Sequence, residues 1–192
     1  MPAIKTKGSE RMTREEAMKL VKEHVKTKNL RKHMIAAEAC MEELASRLGG
    51  DKEEWALAGL LHDLDYDQTV DDFPKHGHIS EEILSAHDVS PEVVNAIKAH
   101  AGHATISSTM DLALYAVDPL TGLIVAAALM HPTKKLENVD VNFVMNRFKE
   151  KRFAAGADRD QIRKCEGLEL SLEEFVGICL KGMQGISKEL GL

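Results

Sequence analysis

The side chains best suited to chemistry in this 192-residue chain are its nine histidines, which accompany only three cysteines. The sharpest local feature is the pair His62 and Asp63, which follows the apolar stretch WALAGLL and precedes the acidic sequence LDYD. Residues of the same two types occur before and after this pair: His33, His76, His78, His100, His103 and Asp118. Neutral imidazoles and carboxylates, without a thiolate, are ligands of hard-to-borderline transition metals. The sequence therefore predicts a divalent metal site.

Charge and composition narrow the class of protein. The formal charge is −6, from 25 basic and 31 acidic residues, which argues against an extended nucleic-acid surface because Lys and Arg make most phosphate contacts. The longest apolar run covers residues 123–130, far short of the roughly 20 residues that span a bilayer, so we expect no membrane association. Three widely spaced cysteines without a CxxC motif favour a reducing, cytoplasmic setting.

Recurrent helix-start signals predict an all-α fold. Five positions carry an N-cap residue with a supporting residue downstream: Thr13 with Glu16, Asp51 with Glu54, Ser90 with Pro91, Asp158 with Gln161, and Ser171 with Glu174. The apolar spacing between them predicts helices near 13–27, 30–48, 51–63, 76–87, 91–102, 109–130, 138–152, 158–166 and 171–190. We expect a long polar loop at 64–75, and a kink or break at Asp118 and Pro119 because a residue before proline disfavours helical backbone.

The order of the candidate ligands resembles that of the HD-domain superfamily of metal-dependent phosphohydrolases. Members have a His, an adjacent His-Asp and a later Asp, and His33, His62, Asp63 and Asp118 match this order over roughly residues 20–130. Binuclear members have two further histidines in between. The first begins an H-x-x-I motif, which selects His76 over His78, and the second ends an A-I-x-x-H motif, which selects His100.

This resemblance implies one HD-domain helical bundle with additional C-terminal helices. We expect a loose tail at 1–12, the metal-binding helical core at 13–130, and a C-terminal helical extension of the same domain at 131–192. No Gly/Ser-rich or Pro-rich linker divides the sequence. A homo-oligomer is compatible with these features.

The resemblance further implies two divalent ions in one pocket, Fe or Mn in first place and Mg, Co, Ni or Zn as alternatives. His33, His62, Asp63 and Asp118 would hold one ion, and His76 and His100 the other, with Asp63 as a bridging and catalytic residue. Such ions activate water for attack on a phosphate ester or anhydride. The spacing is similar to that of bacterial HD hydrolases of dinucleoside tetraphosphates, which implies a nucleotide or other small phosphorylated substrate.

One position departs from the family pattern, and several supporting roles are open. Many HD proteins have a lysine three residues after the His-Asp aspartate, where this chain has Tyr66. Lys134, Lys135 and Arg152 are candidates to bind substrate phosphate instead. His103, three residues after His100, is the candidate proton donor to the leaving group. The candidates to orient the ligand imidazoles are Asp65, Asp67 and Glu38.

Two other functions are compatible with these residues. Some HD proteins with six such ligands resemble mixed-valent di-iron oxygenases, and four histidines with two aspartates suit iron as well as manganese. A degenerate HD domain that senses nucleotides without catalysis is the other alternative. The complete ligand set argues against this last function, because a binding module has no need of six metal-binding side chains.

Overall fold

The structure, a computed structural model, describes residues 11–192. Within this range the chain forms helices and no strand, which confirms the predicted all-α fold. The α-helices are α1 (Arg14–His24), α2 (Lys28–Leu48), α3 (Lys52–Leu61), α4 (Tyr66–Thr69), α5 (His78–Leu84), α6 (Pro91–His100), α7 (Thr109–Met130), α8 (Val141–Lys149), α9 (Arg159–Arg163), α10 (Leu172–Gly185) and α11 (Ser187–Leu190). Short 3-10 helices cover Phe73–Lys75, Leu136–Asn138 and Lys164–Leu168.

The five predicted N-caps all form. Thr13 and Glu16 make a reciprocal capping box at the start of α1. The side chains of the other four caps accept hydrogen bonds from first-turn N–H groups of α3, α6, α9 and α10: Asp51, Ser90, Asp158 and Ser171. Caps of this kind each stabilise a helix by about 1 kcal/mol. Local side-chain chemistry therefore determines where these helices begin.

The centre of the bundle is α2, which packs against α3, α7 and α10. α3 approaches α2 so closely that a Cβ added to Gly59 would lie 2.7 Å from the backbone of Ala37. Glycine is therefore required at this crossing, because any side chain would push the two helices apart. The crossing matters for the candidate site, since α2 carries His33 and the C-terminus of α3 carries His62.

The predicted break at Asp118 and Pro119 does not occur, because α7 continues through both residues. Pro119 has no N–H to donate to the carbonyl oxygen of Tyr115, four residues earlier. The side-chain Nε2 of Gln161 in α9 donates to that oxygen instead, at 2.7 Å. A side chain from the C-terminal part of the fold thus replaces the missing backbone hydrogen bond.

α7 is also the most apolar helix of the bundle. Its length and an 18-residue window of mean hydropathy 1.9 are sufficient for a membrane span by composition alone, and 56% of that window is buried inside the fold. The search for uninterrupted apolar residues missed this helix, because Asp118, Pro119, Thr121 and Gly122 interrupt the run. In the fold α7 packs against α2, α6, α8 and α9.

Two expectations about irregular segments need correction. The segment 64–75 is not a simple loop, because it contains α4 and the 3-10 helix Phe73–Lys75. Residues 1–10 of the predicted tail lie outside the described residues. Met12, which was assigned to the same tail, is buried, and its N–H donates to the carbonyl oxygen of Asp88 at 3.0 Å.

The three cysteines, Cys40, Cys165 and Cys179, are free and buried, and the reducing setting stays a prediction.

Candidate metal centre

The six predicted ligand side chains converge from five parts of the fold. His33 lies on α2, His62 and Asp63 follow α3, and His76 follows the 3-10 helix Phe73–Lys75. The last residue of α6 is His100, and the middle of α7 supplies Asp118. Two sets of three residues lie close enough to hold a metal ion, His33, His62 and Asp118 in one and His62, Asp63 and His100 in the other. With Asp63 and His76 included, the distances below divide the ligand-type atoms into two clusters.

The first cluster consists of Nε2 of His33 and His62, Oδ2 of Asp63 and Oδ1 of Asp118. The two imidazole nitrogens are 3.0 Å apart. His33 Nε2 lies 3.4 Å from Asp63 and 3.1 Å from Asp118, and the corresponding distances of His62 Nε2 are 3.3 and 3.7 Å. Ligand atoms bound about 2.1 Å from one ion are separated by about 3.0 to 3.6 Å at ordinary coordination angles. The cluster therefore fits a single ion.

The second cluster consists of Nε2 of His76 and His100 with Oδ1 of Asp63. The two nitrogens are 3.2 Å apart and lie 3.3 and 3.5 Å from the carboxylate oxygen. Asp63 therefore presents one oxygen to each cluster, the arrangement expected of a carboxylate that bridges two ions. Three protein atoms also leave coordination positions free for water or substrate.

The other ring nitrogens of His33 and His62 fix which nitrogen carries the proton. His62 Nδ1 lies 2.8 Å from the carbonyl oxygen of Gly59, so it must donate. His33 Nδ1 lies 2.8 Å from the hydroxyl of Thr121, and this hydroxyl donates to the carbonyl oxygen of Asp118 at 2.9 Å. The hydroxyl therefore accepts from His33, and both neutral rings direct Nε2 lone pairs at each other. Facing lone pairs at 3.0 Å require a proton or a cation between them.

His76 and His100 are oriented in the same way. His100 Nδ1 donates to the carbonyl oxygen of Ile97. His76 Nδ1 donates to Oδ1 of Asp65 at 2.8 Å, and Oδ2 of Asp65 accepts from the N–H groups of Gly77 and Ser80. Acceptors at Nδ1 fix the tautomer and strengthen the metal-binding nitrogen. Asp65 is thus the one predicted orienting residue that contacts a candidate ligand.

The two other candidates for this role have different partners. Asp67 accepts hydrogen bonds from the N–H groups of Lys26 and Thr27, just before α2. Glu38 forms a two-bond ion pair with Arg14. The Tyr66 ring, at the position of the family lysine, packs edge-on against His76 with 5.3 Å between ring centroids.

The carboxylates raise the basicity of the imidazoles. Burial lowers the pKa of His33, but hydrogen bonds to Asp118 and Asp63 outweigh it and raise that pKa to about 9. Burial also opposes ionised His76, whose pKa is raised to about 9 by the carboxylates of Asp63 and Asp65. Burial raises the pKa of Asp118, but the hydrogen bonds from His33 and His62 outweigh burial and lower this pKa below its usual value. The cluster thus attracts positive charge, which protons or metal ions can supply.

The structure separates the neighbouring histidines that the motif distinguishes. His76 is buried in the second cluster, whereas His78 is exposed and has Glu81 as its nearest carboxylate, at 3.9 Å. His103 does not share the helical face of His100, so the expectation based on that face is wrong. α6 ends first, because Gly102 adopts φ of 79° and the His103 N–H folds back to the Lys98 carbonyl oxygen.

Within the described residues, none of the predicted phosphate-binding side chains makes a hydrogen bond or an ion pair with the clusters. Lys134 and Lys135 follow the C-terminus of α7, and the helix places Met130 about 18 Å along its axis from Asp118. Lys135 forms an ion pair with Glu137 at 3.6 Å. Arg152 is exposed between α8 and α9, and within residues 11–192 it makes no hydrogen bond to the clusters. The position of these residues in the sequence did not show which way their side chains point.

Sequence reasoning missed two supporting residues. Thr121 orients His33 and lies three residues after Asp118 on α7, a spacing that places both on one helical face. This spacing was the feature of the sequence that could have indicated Thr121. Gly59 supplies both the close helix crossing and the acceptor for His62, and its position three residues before His62 gave no comparable indication.

Comparison with known proteins supports the family resemblance. A family model described as HD domain matches residues 30–129, just over half of the chain. The chain belongs to the HD-domain family. It is therefore placed, at the family level, among metal-dependent phosphohydrolases.

Curated relatives of this HD-domain protein include ribonuclease Y from several bacteria. The protein from Sulfurovum sp. (strain NBC37-1) is 29% identical over 131 residues, which cover 67% of this chain and 26% of that protein. Those from Helicobacter pylori (strain J99) and Wolinella succinogenes are 37% and 38% identical over 78 residues, or 41% of this chain and 15% of each relative. The chain thus matches about a quarter or less of these relatives. No solved structure gives a significant match.

Proposed function

We propose that this HD-domain protein hydrolyses a phosphate ester or anhydride of a nucleotide or other small phosphorylated molecule, with two divalent ions bound by the two clusters. The main support for the proposal is that the two carboxylate oxygens of Asp63 face different clusters. Oδ2 faces His33 and His62, and Oδ1 faces His76 and His100. When bound, two adjacent ions activate a water for in-line attack and neutralise charge on the phosphoryl oxygens.

The protein side chains position this chemistry. Nδ1 donation by all four imidazoles keeps their Nε2 lone pairs directed inward. The side chains of His33 and Asp118 are 23% and 31% exposed, whereas those of His62 and His76 are almost fully buried. The partly exposed side chains of His33 and Asp118 therefore form the opening through which substrate phosphate reaches the clusters, and His62 and His76 lie beneath the surface.

The name of the curated relatives bears on the class of substrate. Their name, ribonuclease Y, favours a phosphodiester between nucleotides as one member of the class. The net charge of −6 favours a small substrate over a long polyanionic strand. We therefore place a short nucleotide-containing phosphodiester or anhydride first among the substrates.

The donor set also suits iron, which keeps the di-iron oxygenase as a second candidate. The two functions differ in their need for oxygen. Hydrolysis transfers a phosphoryl group to water and consumes no oxidant, whereas an oxygenase requires O₂. An anaerobic assay with Mn²⁺ therefore separates the two.

The test combines metal analysis with that anaerobic assay on nucleotides, dinucleotides and short RNA. We expect two ions per chain and release of phosphate or of a nucleotide. His76→Ala should retain one ion and lose at least about 100-fold in turnover. His87→Ala, which changes an exposed histidine after α5, should retain both ions and full turnover. Absence of hydrolysis with Mn, Fe, Co, Ni and Mg across this panel, or full activity of His76→Ala, would refute the proposal.

A further inference from the structure

An exposed aromatic surface adjoins the second cluster. Phe73 leaves 52% of its surface exposed, although an apolar ring of this size is ordinarily buried. The ring centroid of His103 lies 6.2 Å from that of Phe73, and the ring centroid of His78 lies 4.8 Å from that of His103. These three rings, Phe73, His78 and His103, form the rim platform.

The rim platform begins one side chain away from the centre of the site. The Phe73 ring lies 5.3 Å from the ring of His76, and Nε2 of His76 lies 3.3 Å from the shared carboxylate of Asp63. A nucleotide has a similar layout, with an aromatic base one sugar away from a phosphate. An exposed aromatic ring at this separation is suited to stack a base, because every base offers a π-face.

We infer that the rim platform stacks the nucleobase of the substrate whose phosphate is cleaved at the two clusters. This inference rests on the proposed function and narrows it to substrates that contain a base. Base stacking explains why the ring of Phe73 is exposed beside the site, whereas hydrolysis of an ester without a base would not require an exposed aromatic ring there. It also gives His78 and His103 a role in binding that requires no metal ligation or proton transfer.

The charges around the platform favour a short substrate. Asp71 and Asp72 precede Phe73, and Glu81 lies on α5 beyond His78. The nearby cations are already engaged, since Lys75 pairs with Asp72 at 2.6 Å and Lys98 pairs with Glu81 at 2.8 Å. These three acidic and two basic residues carry a net charge of −1, so phosphates that flank the stacked base would gain no attraction there. We accordingly assign the platform to the base of a mononucleotide or dinucleotide rather than to a long strand.

The first test measures stacking without turnover. The probe is the 5′-methylenephosphonate analogue of 2-aminopurine riboside 5′-monophosphate, which cannot be hydrolysed and whose fluorescence is quenched when its base stacks on an aromatic ring. We expect quenching by the metal-loaded wild-type protein, at least about 10-fold weaker binding by Phe73→Ala, and recovery with Phe73→Tyr. Val70→Ala is the matched control, because Val70 is 56% exposed on the same segment and has no ring. Equal binding by the wild type and Phe73→Ala would overturn the inference.

The second test compares a dinucleotide with its abasic analogue, which keeps the phosphodiester and lacks the bases. The preference of the wild type for the base-containing substrate, measured as a ratio of kcat/KM values, should collapse in Phe73→Ala through a raised KM and persist in Val70→Ala. No preference in the wild type would overturn the inference while the proposed hydrolysis stands. Phe73-dependent probe binding without any hydrolysis would support stacking and refute the proposed function. A 20-nucleotide strand that competes with the probe more strongly than the dinucleotide would overturn the assignment to a short substrate.

Discussion

The side chain of Gln161 donates a hydrogen bond to the carbonyl oxygen of Tyr115, at 2.7 Å between Nε2 and oxygen. This oxygen would otherwise have no helical partner, because the residue four positions later is Pro119. Asp118, a candidate ligand, immediately precedes that proline. A residue of α9 therefore stabilises the turn of α7 that presents Asp118 to the first cluster.

Replacement of Gln161 by Leu should lower the free energy of unfolding by about 1 to 2 kcal/mol, because the part-buried Tyr115 oxygen loses its donor. In a Pro119→Ala background the backbone N–H returns and can serve the same oxygen, so Gln161→Leu should cost less there. Urea unfolding of the wild type, both single variants and the double variant measures this coupling. Equal costs in the two backgrounds would show that Gln161 does not act through this oxygen.

Replacement of Asp65 by Asn should weaken metal binding at the second cluster by about 10- to 100-fold. Asp65 accepts three N–H donors, from His76, Gly77 and Ser80, and an amide nitrogen cannot accept any of them. Asp67→Asn is the matched control. Within residues 11–192, Asp67 accepts only from the residues just before α2, so its replacement should cost stability and leave metal affinity unchanged. Competition with a metallochromic chelator gives both affinities, and equal values for the two variants would contradict the orienting role of Asp65.

The metal-free protein should become less stable as the pH rises from about 6.5 to about 9. The pKa values of His33 and His76 are raised to about 9 in the folded protein, against about 6.5 in an unfolded chain. A raised pKa stabilises the folded state fully below the unfolded value, and this contribution disappears as the pH passes the folded value. Asp63 and Asp118, whose pKa values are lowered, stay ionised throughout this range.

The metal-loaded protein should show the opposite trend over the same interval. Bound ions require neutral imidazoles, so metal binding releases protons and strengthens as the pH rises. Denaturant unfolding at pH 6.5 and 9, with chelator and with Mn²⁺, compares the two forms. A metal-free protein that is equally stable at both pH values would contradict the electrostatic account of the clusters.

Gly59→Ala should destabilise the fold by about 1 to 3 kcal/mol, because its Cβ would lie 2.7 Å from backbone atoms of α2. The same change should also reduce metal affinity, since the Gly59 carbonyl oxygen holds the ring of His62. Gly122→Ala provides the comparison. Gly122 lies within α7 and a Cβ there meets no atom within 4 Å, so this substitution should stabilise the helix by about 0.5 to 1 kcal/mol. Thermal unfolding and metal titration of both variants test the difference.

Local sequence and residue order predicted much of this molecule. Side-chain caps such as Thr13 and Ser171 located helix starts correctly, because capping depends on residues within one turn. The order of the ligand types indicated the family, and the H-x-x-I motif selected His76 over His78 for the cluster. These signals lie in short motifs, which a sequence displays directly.

Features that depend on distant residues were not accessible in this way. The continuity of α7 through Pro119 depends on Gln161, 46 positions away from the oxygen that it contacts. The basic residues of the C-terminal third, including Lys134, were expected near substrate, yet charge density along a chain does not reveal which way a side chain points. His103 was misplaced because the helix predicted over 91–102 ends at His100, before Gly102.

The packing of α10 on α2 has a consequence for dissecting the protein. Gly182 of α10 lies so close to α2 that a Cβ there would be 2.6 Å from the carbonyl oxygen of Ala39, on the helix that carries His33. Removing residues 131–192 would expose this apolar face and withdraw Gln161 from α7. The segment 30–129 that the family model matches contains every candidate ligand, yet we expect that it does not fold on its own, because it lacks α10 and Gln161. Truncation to those borders should yield an insoluble or molten fragment, so studies of the metal centre require residues 131–192 as well.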